Sequence, residues 1–157
     1  SAISSGTELL VFRGQIPENL ELDEHIEQLK NQKNIFPVRY GYATVGTIEE
    51  IGDGVSQSII GQKVFAFHPH ASHFTVSLHD LHAIPSEIKI EDAVFLANME
   101  TAVNLIHDGR PLLGESTVVL GLGVVGLLVT RLLANMNFTR FFALEILSQR
   151  RDLINNI

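Results

Sequence analysis

The apolar positions of this chain change their period once. As far as about Pro85 they come in short runs separated by Gly, Pro and Asp, as between Gly41 and Gly54 and between Gly61 and Val76. Such runs predict short strands joined by turns. Ala43–Ile48 and Lys63–Phe67 are the clearest of them. Ahead of these, Glu18–Lys33 follows Pro17 and spaces Leu22, Ile26 and Leu29 at a near-helical interval opposite Glu21, Glu24, Glu27 and Gln28. That spacing predicts one amphipathic helix with a solvated face.

Beyond Pro85 the runs lengthen. Glu91–His107 predicts a long apolar-rich helix, and Gly109-Arg110-Pro111 ends it. Thr117–Leu120 then reads as a strand, followed by a glycine turn, a helix, a second strand at Phe141–Leu144 and a further helix over Gln149–Ile157. Strand, helix and strand in that order imply a parallel pair with a right-handed crossover.

The glycine turn carries the most specific signal. Thr117–Leu120 runs directly into Gly121-Leu122-Gly123-Val124-Val125-Gly126, a G-x-G-x-x-G segment between a strand and a helix. The first glycine permits a tight turn, the second lets the backbone approach a pyrophosphate, and the third lets the helix lie close to the strand. The helix N-terminus presents free N–H groups and the positive end of its dipole to phosphate oxygens. Glu145 ends the second strand, where an acid binds the adenosine ribose hydroxyls. The competing reading is a glycine turn kept only for close packing, and the context of strand, helix and acid favours the dinucleotide. A carboxylate at this position repels a 2′-phosphate and favours NAD over NADP. Arg150 and Arg151 lie close enough in sequence to reach such a phosphate, so NADP stays open.

Composition narrows the remaining classes. The 157-residue chain carries a net charge of −7, and its basic residues form no block beyond Arg150-Arg151, which argues against nucleic acid as a partner. Its zero cysteines exclude a disulfide framework, cysteine-ligated zinc and a thiol nucleophile. Ser116–Thr130, the longest uncharged apolar stretch, is shorter than the roughly 20 residues that cross a bilayer, so no membrane is expected. No basic or apolar leader opens the chain at Ser1, and a cytoplasmic location is the expectation.

A β-rich portion followed by a dinucleotide βαβ resembles the medium-chain dehydrogenase/reductase superfamily, which contains alcohol dehydrogenases and quinone reductases. Ile3-Ser4-Ser5-Gly6-Thr7-Glu8 is similar to the family's early Cys-Gly-Thr-Asp segment, and Gly41-Tyr42-Ala43 to its Gly-His-Glu position. Val45–Val64 resembles its strand, turn and Gly-Asp-Arg-Val strand. Thr101-Ala102 and Gly114–Gly126 resemble its hinge helix and nucleotide-binding entry. The resemblance implies an α/β chain: a GroES-like β-barrel catalytic domain over residues 1–97, then a hinge helix and the first βαβ of a Rossmann fold over 98–157. Both are expected to be incomplete, parts of a longer chain. Were the chain whole, a partner such as a second copy in a homo-oligomer would have to cover its open edges.

The family's catalytic zinc ligands would fall on Ser5, Tyr42 and near Ala97, and its four-cysteine structural lobe is missing. The resemblance is therefore to the zinc-independent branch, with no metal expected. It implies an oxidoreductase that moves a hydride between a nicotinamide cofactor, NAD or NADP, and a small-molecule carbonyl, alcohol or activated alkene. Thr7 sits where the family often keeps a proton-relaying hydroxyl, and Tyr42 offers a phenol in place of a metal ligand. Thr101 falls where the family contacts the nicotinamide, and Gly121, Gly123, Val124, Val125, Gly126, Glu145 and Arg150 fall on the cofactor-binding positions.

Each role has a structural counterpart. Thr7 could cap a short helix, Tyr42 could fill the room a metal leaves, and Thr101 could simply pack. His68, His70 and His73 form a compact group, but Pro69 interrupts the strand and no carboxylate is close in sequence, so cleft-wall histidines are favoured over a metal site. Asp53, between two glycines, reads as a turn residue. The runner-up function is a nucleotide-binding module without catalysis.

Overall fold

The computed structural model describes residues 1–24 and 26–154. They form two compact units, Ser1–Ala97 and Asn98–Ile157.

In the first unit a short helix, α1 (Thr7–Phe12), precedes three strands, β1 (Thr44–Thr47), β2 (Lys63–Ala66) and β3 (Leu81–Ala83). The strands pair antiparallel in the order β1-β2-β3, with Val45 opposite Phe65 and Phe65 opposite His82. Three strands are too few to close on themselves, so among the described residues the expected barrel is an open sheet with β1 and β3 at its edges. Phe65 on the central strand is 0% exposed and packs with Ala43, Val94 and Ala97. Tyr42, Val45, Phe67 and Ile84 close over this cluster, and the Phe67 ring meets Phe65 edge-on at 5.0 Å. Asp53 lies in the expected turn, completed by Gly54 at φ +79°.

Glu18–Lys33 is not a helix. Its described residues form consecutive turns that return on themselves, with Glu21 bridged to Lys33 and the Leu22 N–H donating to the Gln32 carbonyl at 3.2 Å. Two local preferences defeat the helical period. The Asp23 carboxylate accepts from the Ile26 N–H at 2.9 Å, and Asn31 takes a left-handed φ of +58°. Ile26 and Leu29 are still buried, so the apolar spacing is satisfied by a folded loop.

The predicted helix at Glu91–His107 is divided into α2 (Ile90–Ala93) and α3 (Leu96–Gly109). In the second unit β4 (Ser116–Leu120), α4 (Val124–Leu133) and β5 (Arg140–Leu144) form the expected parallel pair, with Thr117 opposite Phe141 and Val119 opposite Ala143. β-Branched Thr117, Val118 and Val119 suit the strand. In α4, Thr130 and Leu133 are buried. The last predicted helix is α5 (Ser148–Arg151) followed by a 3₁₀ turn at Asp152–Ile154, and residues 155–157 of that prediction lie outside the described residues.

Phe65→Ala should lower stability by about 3–5 kcal/mol, because the cavity opens where no solvent can relax into it. Urea unfolding checks this, and a loss under about 1 kcal/mol would show that the three-stranded sheet does not depend on this core.

Candidate functional site

The second unit builds a cradle at the end of β4. The Gly121 N–H donates to the Leu144 carbonyl at 2.8 Å, extending the parallel ladder one residue past the strand. Gly121 then turns at φ +91°, a conformation that side chains resist. Gly126 sits in the first turn of α4, where a Cβ would lie 1.9 Å from the Gly121 carbonyl oxygen. Only glycine permits that approach. A Cβ on Gly123, at the helix N-cap, would meet nothing within 4 Å. Packing therefore requires Gly126 and leaves the space over Gly123 open, as a group that must approach the backbone needs.

Glu145 closes the cradle. Its side chain is only 5% exposed; Oε2 accepts from the Leu122 N–H at 2.8 Å and Oε1 from the Leu147 N–H at 3.0 Å. The amides of Leu147 and then Leu122, with the Arg150 guanidinium 3.7 Å away, hold the carboxyl below the ordinary glutamate range. Each carboxylate oxygen takes one amide and keeps acceptor capacity for hydroxyl groups. Arg151 donates instead to the backbone carbonyls of Glu145 and Ile146 at 2.6 and 2.8 Å. The structure thus brings Gly121, Gly123, Val124, Gly126, Glu145 and Arg150 into one neighbourhood. Val125 lies in the same turn of α4, and Thr101 is exposed on α3.

In the first unit Thr7 is the first residue of α1 and exposed, with Gly6 at the N-cap and no side-chain cap, so the capping role is not what is observed. Tyr42 is half-buried against the Phe65 cluster. At the positions that the resemblance assigns to zinc ligands, Ser5, Tyr42 and the neighbourhood of Ala97 supply a hydroxyl, a phenol and a methyl group. That donor set does not fit the metal. Among the described residues no three His, Asp or Glu side chains are grouped to hold a metal ion. The histidines separate: His68 is buried and stacks on Phe74 at 3.9 Å, while His73 lies 3.5 Å from Glu49 at the surface.

His70 has a role the sequence did not reveal. Its Nε2 hydrogen-bonds the buried carboxylate of Glu8, 62 residues away in the chain, so the carboxylate missing from its sequence neighbourhood arrives by folding. Glu8 also accepts from the Ser4 N–H. The nearby Tyr40 phenol is pushed above its ordinary range by burial, then by Asp23, Tyr42 and Glu8. An open cavity of about 620 Å³ lies beside β1, lined among others by Val45, Glu49, His73 and Phe74, and neither Thr7 nor Tyr42 lines it. No helix among the described residues is long and apolar enough to cross a membrane.

No protein-family model matches the chain. It is similar to (R,R)-butanediol dehydrogenase of Bacillus subtilis, 23% identical in an alignment that covers 74% of this chain and 41% of that protein. Among solved structures it resembles the human synaptic vesicle membrane protein VAT-1 homolog-like protein, with a TM-score of 0.68 and 21% identity over 98% of this chain and 47% of that one. It also resembles an Escherichia coli alcohol dehydrogenase complexed with NADH, with a TM-score of 0.59 and 18% identity over 71% of this chain and 42% of that one. The chain spans less than half the length of each. These likenesses show the fold, part of the α/β fold of alcohol-dehydrogenase-type proteins.

Folding lowers the proton affinity of Glu145, so its stabilising contribution is present above the unfolded-chain pKa and is lost as pH falls through the lower folded value. The Glu145 carboxyl carbon should titrate below the value of about 4.3 found for glutamate in peptides, with the Leu122 and Leu147 amides losing exchange protection over the same range. NMR titration reads both. A midpoint at or above the peptide value would contradict the assigned hydrogen bonds.

Proposed function

We propose that this chain belongs to the zinc-independent branch of the medium-chain dehydrogenase/reductases. On this reading it is part of a nicotinamide-dependent oxidoreductase acting on a small carbonyl, alcohol or activated alkene. The observation that carries the reading is the cradle: a glycine turn on which a Cβ at Gly126 would collide, open space over Gly123, and the Glu145 carboxylate bonded to the same loop. Likeness in fold to an NADH-bound alcohol dehydrogenase supports it. Residues 1–97 then contribute to the substrate side, and residues 98–157 begin the dinucleotide-binding domain.

The backbone of Gly121, Gly123, Val124, Val125 and Gly126 would hold the pyrophosphate at the N-terminus of α4, and Glu145 the ribose hydroxyls. Thr101 is the residue proposed beside the nicotinamide. A bound nicotinamide supplies the hydride donor or acceptor. Tyr42 holds a proton on its phenol oxygen, available to an oxygen that gains negative charge, and Thr7 carries a hydroxyl able to pass it on. Zinc plays no part, because Ser5, Tyr42 and Ala97 give it neither thiolate nor imidazole.

NAD is favoured over NADP because both arginines are engaged: Arg150 lies against Glu145, and Arg151 holds backbone carbonyls. The proposed location is the cytoplasm.

Fluorescence titration of the protein should show NADH bound at least about tenfold more tightly than NADPH, the ratio that about 1.4 kcal/mol of ionic discrimination produces. Tight NADPH binding without NADH binding would overturn the cofactor assignment. Oxidation of the bound cofactor by a panel of carbonyls and quinones, measured on the full-length protein, tests the activity; binding without turnover on any of them would make the protein a nucleotide-binding module instead.

A further inference from the structure

We propose that Glu8 and His70 are positioning residues, a buried carboxylate–imidazole pair that fixes the Tyr40–Gly41–Tyr42 backbone and with it the direction in which the Tyr42 side chain leaves the chain. Three observations carry this.

The first is burial. Glu8 is 7% exposed, and a carboxylate withdrawn from water is costly unless its oxygens are bonded. Both are: Oε2 accepts from the Ser4 N–H and Oε1 meets His70 Nε2. The carboxylate thus places the proton of a neutral imidazole on Nε2 and fixes the ring's rotation.

The second is the contact between that ring and Gly41. A Cβ at Gly41 would lie 2.7 Å from His70 Cδ2 and 2.8 Å from Nε2, and Gly41 has φ +128°. The imidazole therefore occupies the place of a side chain at the residue immediately before Tyr42. The His70 N–H also donates to the Tyr40 carbonyl at 3.1 Å, so His70 holds the segment by both ring and backbone.

The third is that His70 Nδ1 is buried without a hydrogen-bond partner among the described residues. Among the described residues, no hydrogen bond at Nδ1 competes with the one from Nε2 to Glu8 for the ring's orientation. Tyr42 is then held from two directions, its backbone by His70 and its ring by the Phe65 cluster. The catalytic weight of this arrangement rests on the reading of Tyr42 as a proton donor; the arrangement itself does not.

The chain has two tyrosines and no tryptophan, so with Tyr40→Phe as the background all intrinsic emission comes from Tyr42. In that background Glu8→Gln and His70→Ala should raise acrylamide quenching of Tyr42 about twofold or more. His70→Gln, which returns an amide N–H toward Glu8, should restore most of the protection. In the full-length protein the first two variants should lower kcat about tenfold or more, with KM and NADH affinity within about twofold of the parent. Quenching unchanged in Glu8→Gln and His70→Ala would overturn the proposal, as would loss of cooperative melting in all three variants, which would make the pair a folding determinant. Quenching that rises while kcat holds would support the positioning role and sink the reading of Tyr42 as the proton donor.

Discussion

The first turn of α4 passes so close to the carbonyl of Gly121 that a single carbon atom at Gly126 would overlap it at 1.9 Å. This steric constraint organises the second unit. It sets the helix tight against the end of β4, where Thr130 Oγ1 donates to the Gly126 carbonyl at 2.7 Å and ties the next turn to the first. A Cβ on Gly123, at the helix N-cap, would by contrast meet nothing within 4 Å. Close packing at Gly126 and open space over Gly123 are the two features on which the proposed phosphate site rests.

Two carboxylates anchor the chain around its candidate residues. Glu145 accepts amides from the glycine loop and from the segment after β5, joining the two loops that follow the paired strands. Glu8 accepts an amide from its own segment and an imidazole from far along the sequence. Both are nearly withdrawn from solvent, and both satisfy their charge through N–H donors. Charge-assisted bonds of this kind are stronger than neutral ones, so these two points hold loops that have little regular secondary structure to fix them.

Legibility followed contour length. The βαβ of the second unit was readable because each of its determinants is local: β-branched residues in β4 and aromatics in β5, glycines where the backbone turns or approaches itself, an acid at the strand end. The Glu18–Lys33 segment was misread although its apolar period was real, since Ile26 and Leu29 are buried as that period suggested. What the period does not encode is the competition from Asp23, whose carboxylate takes the Ile26 amide, and from Asn31 in a left-handed turn. The barrel expected from the resemblance is an incomplete one, and the described residues form three antiparallel strands.

The sequence by itself determined the strand–glycine–helix–strand unit, the place of Glu145 at its end and the lack of zinc-ligating side chains at Ser5, Tyr42 and Ala97. These depend on residue identity and on contacts between near neighbours in the chain. Only the tertiary structure decided that His70 joins Glu8 across 62 residues, that its ring needs Gly41 to be glycine, and that Arg150 and Arg151 are already engaged. Pairing of that kind is set by where the packed core places side chains, and no spacing along the chain records it.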